Sequence, residues 1–232
     1  MIRRLRAWAD AHTAQGRWSP VAIAFHWTMA ALVLFQIVWG WWMSGIPSGG
    51  DKAAAFQLHA DAGLLILLLA VLRALWRLLI PGPVNDADKP GWENTVSRVT
   101  HFLFYIFIVG LPLSGWLMLS TVAPEIPLRL AGLAPLPMLP TSHLSREALW
   151  DLMWAAERIH FFMIWGITFL IIGHVAAALK HHLFDKDNVL PGMLPVVEEL
   201  GGEPIEILPG SDEAETPHRR RRPRSGGRSA DG

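Results

Sequence analysis

R-I-H-F-F-M-I-W-G-I-T-F-L-I-I-G-H-V-A-A-A-L-K-H-H, residues 158 to 182, decides the fold. Between Arg158 and Lys180 its only ionisable groups are His160 and His174, and a run that long and apolar predicts a membrane-spanning helix. The two histidines lie fourteen positions apart, so they share one helix face about 21 Å apart along the axis. One imidazole then sits near each membrane surface. Polar side chains at membrane depth are costly and face a cavity, a partner or a cofactor, and neutral imidazole is the commonest metal ligand. The spacing predicts that this helix gives one ligand to each of two stacked metal centres, with haem the metal group expected.

Composition agrees with a membrane protein. The chain has 232 residues, 52% of them hydrophobic, and twelve tryptophans, which is too apolar for a soluble domain of this size. Its formal net charge is zero, but the charges are segregated along the chain. Cysteine is absent, which excludes disulfides, thiolate-held iron–sulfur clusters and the C-x-x-C-H attachment of a c-type haem. Nothing in the pattern points to nucleic acid.

Residues 1 to 20 form a short segment rich in arginine (Arg3, Arg4, Arg6, Arg17), which the positive-inside rule places in the cytoplasm. The first apolar run is far too long for a signal-peptide core, so it is expected to stay as an anchor. A four-helix transmembrane domain is expected over residues 21 to 195. Its first helix covers about 21 to 43, with His26 near the inner end and Trp39, Trp41 and Trp42 at the outer headgroups. An outer connection over 46 to 57 leads to a second helix at about 58 to 80, which opens with His59 and carries Arg73 and Arg77 at its inner end. These two arginines either snorkel to the inner headgroups or pair with a haem propionate. A polar inner loop over 84 to 97 precedes a third helix at about 98 to 119, with His101 near its inner end and Pro112 within it, where a kink is expected.

The long outer segment 120 to 157 holds five prolines. A separate interfacial helix is expected there from Arg146 to about Ala156, capped by Ser145. The fourth helix returns the chain to the inside, where Lys180, His181, His182 and Lys186 follow. Residues 196 to 232 pass from an acidic stretch to the run Arg219 to Arg222, a composition expected to be a disordered cytoplasmic tail. Both termini are therefore expected in the cytoplasm.

Four antiparallel helices fix the depth of each histidine. His26 and His174 fall near the inner surface, His59 and His160 near the outer one. Each layer has one imidazole from the fourth helix and one from another, which is the donor set of two bis-histidine haems stacked across a bundle. His101, at inner depth, is placed to hydrogen-bond a propionate or a quinone, or to be an interfacial residue without a cofactor. His181 and His182 suit the negative end of the helix dipole and need none.

The stretch R-W-S-P-V-A-I-A-F-H-W (17 to 27), the tract L-P-L-S-G-W-L-M (111 to 118) and the closing G-H-V-A-A-A-L-K-H-H-L-F-D-K-D-N-V-L (173 to 190) resemble the bacterial cytochrome b561 family over residues 17 to 195. The resemblance implies a four-helix, dihaem, multi-pass protein of the inner membrane that exchanges electrons with the quinone pool. It also admits enzymes that oxidise superoxide at the outer face and reduce ubiquinone. Carried over by motif, His26, His59, His160 and His174 become the ligands of two haem b groups, the same four that depth selects. The chain departs from the family at H-A-D-A-G (59 to 63), where members often read H-K-S-x-G, and at Pro191-Gly192, where they carry basic residues. Lys52, Arg129, Arg146 and Arg158 remain on the outer side to steer an anionic donor.

The function expected is therefore dihaem electron transfer between an outer donor, a small molecule such as superoxide or a redox partner protein, and the membrane quinone pool. Two alternatives stand beside it: the haem-b membrane subunit of a larger respiratory dehydrogenase or hydrogenase, and a histidine-based metal or proton transporter. Transporters usually place acidic residues inside the membrane, and none lies centrally in these helices.

Overall fold

In the computed structural model the described residues are 2–13, 16–80, 82–83, 91–122, 128–130 and 134–195. The expected tail at 196 to 232 lies outside them, as does most of the inner loop at 84 to 90. Five α-helices run in order: α1 (Ile2–Thr13), α2 (Pro20–Ser44), α3 (Gly50–Leu79), α4 (Gly91–Val122) and α5 (Arg146–Lys180). The last four are long and apolar enough to cross a membrane. The protein is an all-α membrane bundle.

Each start has a local cause. Ser19 caps α2, its hydroxyl accepting from the Ala22 amide, and Pro20 occupies the first turn, where its missing N–H costs nothing. Ser145 caps α5 in the same way through the Ala148 amide at 3.2 Å. The helix at 146 therefore begins as expected, but it is not a separate interfacial element. It continues unbroken to Lys180, because A-A-E-R-I-H offers good helix formers and no glycine or proline to stop it. At 35 residues it is about 52 Å long, well beyond a hydrocarbon core of about 30 Å.

Two other boundaries fall earlier than expected. Helix α3 starts at Gly50, eight residues ahead of the expected start at 58 and within the expected outer connection; the alanines at 53 to 55 are good helix formers that extend it back to Gly49. Helix α4 starts at Gly91, and it runs through Pro112 without interruption. Helix α1 lies in the segment 1 to 20, to which no element was assigned. Its Ala9 is completely buried, and the Arg6 Nε–H donates to the Leu79 carbonyl at 3.0 Å, satisfying an otherwise unpaired acceptor at the end of α3.

The helices pack in sequence, α2 on α3, α3 on α4 and, most extensively, α4 on α5. At the last contact Gly166 faces the tip of the Phe107 ring. Across the middle of the bundle Met29, Ile66 and Ala70 form a buried apolar cluster with Leu32, Val33, Leu69 and Ile108. On α2 these follow His26 toward the far end and on α3 they follow His59 toward the opposite end, so an apolar cluster lies between the two layers. Outward-facing residues such as Val38, Leu78 and Phe169 are large, apolar and exposed, as lipid contact requires.

The two ends are closed differently. On the inner side the Trp18 amide donates to the Gly192 carbonyl (3.0 Å), Arg17 Nη2 to the Leu194 carbonyl (2.8 Å) and the Trp27 indole to the Met193 carbonyl (2.7 Å). The departure at Pro191-Gly192 has a steric reason, since a Cβ at 192 would lie 2.9 Å from the Gly16 carbonyl oxygen. After α5, residues His181–Asp185 form one π-turn, ended by Lys186 in the left-handed region (φ 54°). On the outer side the long loop folds back as an antiparallel hairpin, β1 (Leu128–Leu130) with β2 (Ala134–Leu136), Arg129 opposite Pro135. Leu128 is 1% exposed. The departure at Asp61 acts here: its Oδ1 accepts from the Arg129 amide and from Gln57 Nε2, both at 2.9 Å, and ties the hairpin to α3.

Replacing Gly166 by alanine puts a methyl 2.6 Å from Phe107 Cζ, which should cost about 1–3 kcal/mol as overpacking. A lowered thermal midpoint in detergent, partly restored by adding Phe107→Leu, is expected. Asp61→Ala should free the hairpin, speeding exchange of the Arg129 amide about fivefold for a loss of roughly 1 kcal/mol, while the amides in mid-α5 keep their protection.

Candidate functional site

Helices α2 and α5, and likewise α3 and α5, are not among the closely packed pairs of the described residues. Imidazoles reach across those gaps instead. At the inner end the rings of His26 (α2) and His174 (α5) stand 6.2 Å apart between centroids, inclined by 60°. At the outer end His59 (α3) and His160 (α5) stand 6.3 Å apart, inclined by 66°. All four are half-buried. The fourfold set expected from the sequence is thus drawn together as two pairs, one per layer.

The outer pair is tightly built. His160 Nδ1 lies 2.9 Å from Ser114 Oγ, and that hydroxyl donates its one hydrogen to the Leu111 carbonyl at 2.9 Å. The serine oxygen therefore accepts from Nδ1–H, and the proton on Nδ1 leaves the Nε2 lone pair free. A glycine flanks each ring: the Cβ position of Gly40 is 3.3 Å from His59 Cε1, and that of Gly115 is 3.6 Å from His160 Cε1. Larger residues would push the imidazoles inward. Ser114 and Gly115 account for part of the tract at 111 to 118. The Gln36 amide of α2 donates to the His59 backbone carbonyl at 2.7 Å.

The inner pair sits among more charge. Arg73 Nη2 approaches His26 Nδ1 at 3.4 Å, a long and weak contact, so Arg73 does turn into the site. Arg77 does not: its guanidinium lies 4.3 Å over the Trp18 ring, a cation–π contact on the exposed inner surface. The His101 ring is 5.9 Å from that of His174, and its Nδ1–H donates to the Ser97 carbonyl at 2.7 Å. Phe104 closes on His174 edge-on at 5.3 Å. His101 is exposed, unlike the four paired histidines.

Sequence reading missed Ser114, Gln36 and one surface cluster. Glu93, His181 and Asp185 come close enough to share a cation. Lys180 already supplies it, its Nζ 3.0 Å from Glu93 and 2.7 Å from Asp185, and His181 Nδ1 lies 3.0 Å from Asp185 and 2.8 Å from Asp187. The cluster joins the inner ends of α4 and α5. Of the missed residues only Gln36 left a clear trace in the sequence, as a lone amide inside an apolar run.

The sequence pattern of prokaryotic cytochrome b561 matches residues 17–196. Cytochrome b561 homolog 2 of Escherichia coli (strain K12) is 29% identical over 179 residues, covering 77% of this chain and 91% of that protein. A protein of Yersinia pestis named "Probable superoxide oxidase CybB" is 25% identical over 195 residues, covering 77% of this chain and 96% of its own. Cytochrome b561 homolog 1 of Escherichia coli (strain K12) is 26% identical over 186 residues, with 77% and 97% covered. Four apolar helices, histidines gathered across them and a match over nearly the whole described bundle converge: the chain belongs to the prokaryotic cytochrome b561 family, multi-pass haem-b electron-transfer proteins of the bacterial inner membrane.

Proposed function

We propose that the chain binds two haem b groups, which His26 and His174 would hold on the inner side and His59 and His160 on the outer. The observation that carries this is the pair of ring separations, 6.2 and 6.3 Å. Two imidazoles sharing one metal at about 2.0–2.1 Å each would have their ring centres roughly 6 Å apart. Both pairs have that spacing, across helix gaps that are not closed by packing. His101 stands at a similar distance from His174, but an exposed ring is a poor axial partner for a site sealed by lipid and protein, and it is assigned to the inner surface.

Bound haem supplies one-electron chemistry, and the protein tunes it through ligand basicity, burial and nearby charge. The residues then have separate tasks. Two imidazoles in each layer would hold the metal from both sides and so keep small molecules off it. Ser114 fixes the tautomer of His160. Arg73 is the one cation turned into the inner layer, free to leave its weak contact with His26 and pair with a propionate. The apolar plug at Met29, Ile66 and Ala70 excludes water between the layers. Electrons pass between an outer donor and the quinone pool on this reading, with both chain termini in the cytoplasm. The relative named a probable superoxide oxidase supports an outer small-molecule donor such as superoxide.

Single alanine variants test the pairing. His59→Ala or His160→Ala should remove the outer haem and halve the haem content, His26→Ala or His174→Ala the inner one, and His101→Ala should keep both. Loss of both haems from every single ligand variant that still folds, or loss of one with His101→Ala, contradicts it.

A further inference from the structure

Gln36 is the one amide side chain in α2, set in the run A-L-V-L-F-Q-I-V-W. A polar group at that depth needs a partner or a task. Half of it has one: Nε2–H donates to the His59 carbonyl at 2.7 Å. Only the NH2 end of an amide can donate to a carbonyl, so the other end is the oxygen. That oxygen, Oε1, is buried and has no partner, and neither does His59 Nδ1, also buried. Leaving such groups unpaired is unfavourable.

The two orphans, one on α2 and one on α3, meet at one face of α2. Gly40, four residues after Gln36, has its Cβ position 3.3 Å from His59 Cε1 and 3.8 Å from His59 Nδ1. Residues at i and i+4 are neighbours on a helix surface, about 5–6 Å apart, so the edge of His59 that carries Nδ1 faces the α2 turn bearing Gln36. Room for the amide comes from α3, where the Cβ position of Gly63 is 3.3 Å from Gln36 Nε2. The carbonyl one turn before His59, that of Ala55, already accepts the Trp39 indole N–H at 3.1 Å. On the opposite ring of the same layer, Ser114 takes the Nδ1–H of His160 beside Gly115. A ligand ring, a glycine and a neighbouring acceptor recur on both sides.

We infer that Gln36 is the positioning residue for His59: its Oε1 accepts the Nδ1–H of His59 when the opposite nitrogen ligates the outer haem, while its Nε2 keeps the His59 backbone in place. This rests on the ligation proposed above. The bond satisfies both orphans at once. Accepting that hydrogen raises the basicity of the ligand, which favours the oxidised metal and lowers the potential of the outer haem alone.

The test is a potentiometric titration of the full-length protein, wild type against Gln36→Leu and Gln36→Glu, with His59→Ala identifying the outer midpoint by its disappearance. Gln36→Leu should raise the outer midpoint and leave the inner one in place. Gln36→Glu, which retains an acceptor of the same reach, should sit at or below wild type. An outer midpoint unmoved by Gln36→Leu, or both midpoints moved equally, overturns the role of Gln36. If Gln36→Leu loses the outer haem, Gln36→Glu decides: retention at or below the wild-type potential supports the role, and loss or a higher potential overturns it. A wild-type protein without two b-type midpoints, or His59→Ala retaining both, defeats the ligation itself rather than the role of Gln36.

Discussion

Burying imidazole in a membrane is the constraint on which the rest of the bundle depends. A neutral histidine among lipid and apolar side chains has two nitrogens to satisfy and no water to satisfy them. The fourteen-residue interval from His160 to His174 fixes two depths at which this must happen, and α2 and α3 answer with His26 and His59 at those same depths. Between the depths no polar partner is needed, and the chain places Met29, Ile66, Ala70 and Ile108 there. The helix pairs that bring the histidines together, α2 with α5 and α3 with α5, are not among the closely packed ones. Close packing is carried instead by helices adjacent in the chain, most extensively α4 on α5, where Gly166 admits Phe107.

The two layers solve the second-nitrogen problem in different ways. At the outer layer the partners are neutral and fixed, with Ser114 on one ring and the Gln36 amide beside the other. At the inner layer one cation, Arg73, approaches His26, the His101 ring stands beside His174, and Arg77 is held away on Trp18. Nearby positive charge stabilises the reduced, less positive metal, whereas stronger imidazole donation stabilises the oxidised one. With haem held as proposed, Arg73 would favour the reduced state of the inner layer. The outer hairpin, tied down by Asp61, and the inner clasp of residues 17–18 with 192–194 limit solvent access at the two mouths.

Much of this was legible from sequence because a histidine in an apolar run stands out and helix geometry converts its position into depth. The four paired histidines and the number of spanning helices follow from that alone. Helix ends were less legible. Charged residues near a membrane surface suggested boundaries before His59 and at Arg158, yet alanine-rich and glutamate-containing stretches carry α3 and α5 past them. The hairpin at 128–136 has three-residue strands, too short for a periodic pattern to register. Ser114 gave no signal, since a serine in a membrane helix can satisfy itself on its own backbone. Its role exists only because α5 brings His160 to within 2.9 Å. H-A-D-A-G stood out in sequence only as a departure from the family motif; in the fold the Asp61 carboxylate anchors the outer loop.

The most direct measurement is a reduced-minus-oxidised visible spectrum of the purified full-length protein, with the haem extracted as its pyridine complex and quantified against protein. Two low-spin b-type haems per chain, as two bis-histidine sites require, are expected. One haem per chain after expression with ample haem, or a high-spin spectrum indicating an open axial position, would contradict the two depth-matched histidine pairs as the ligands.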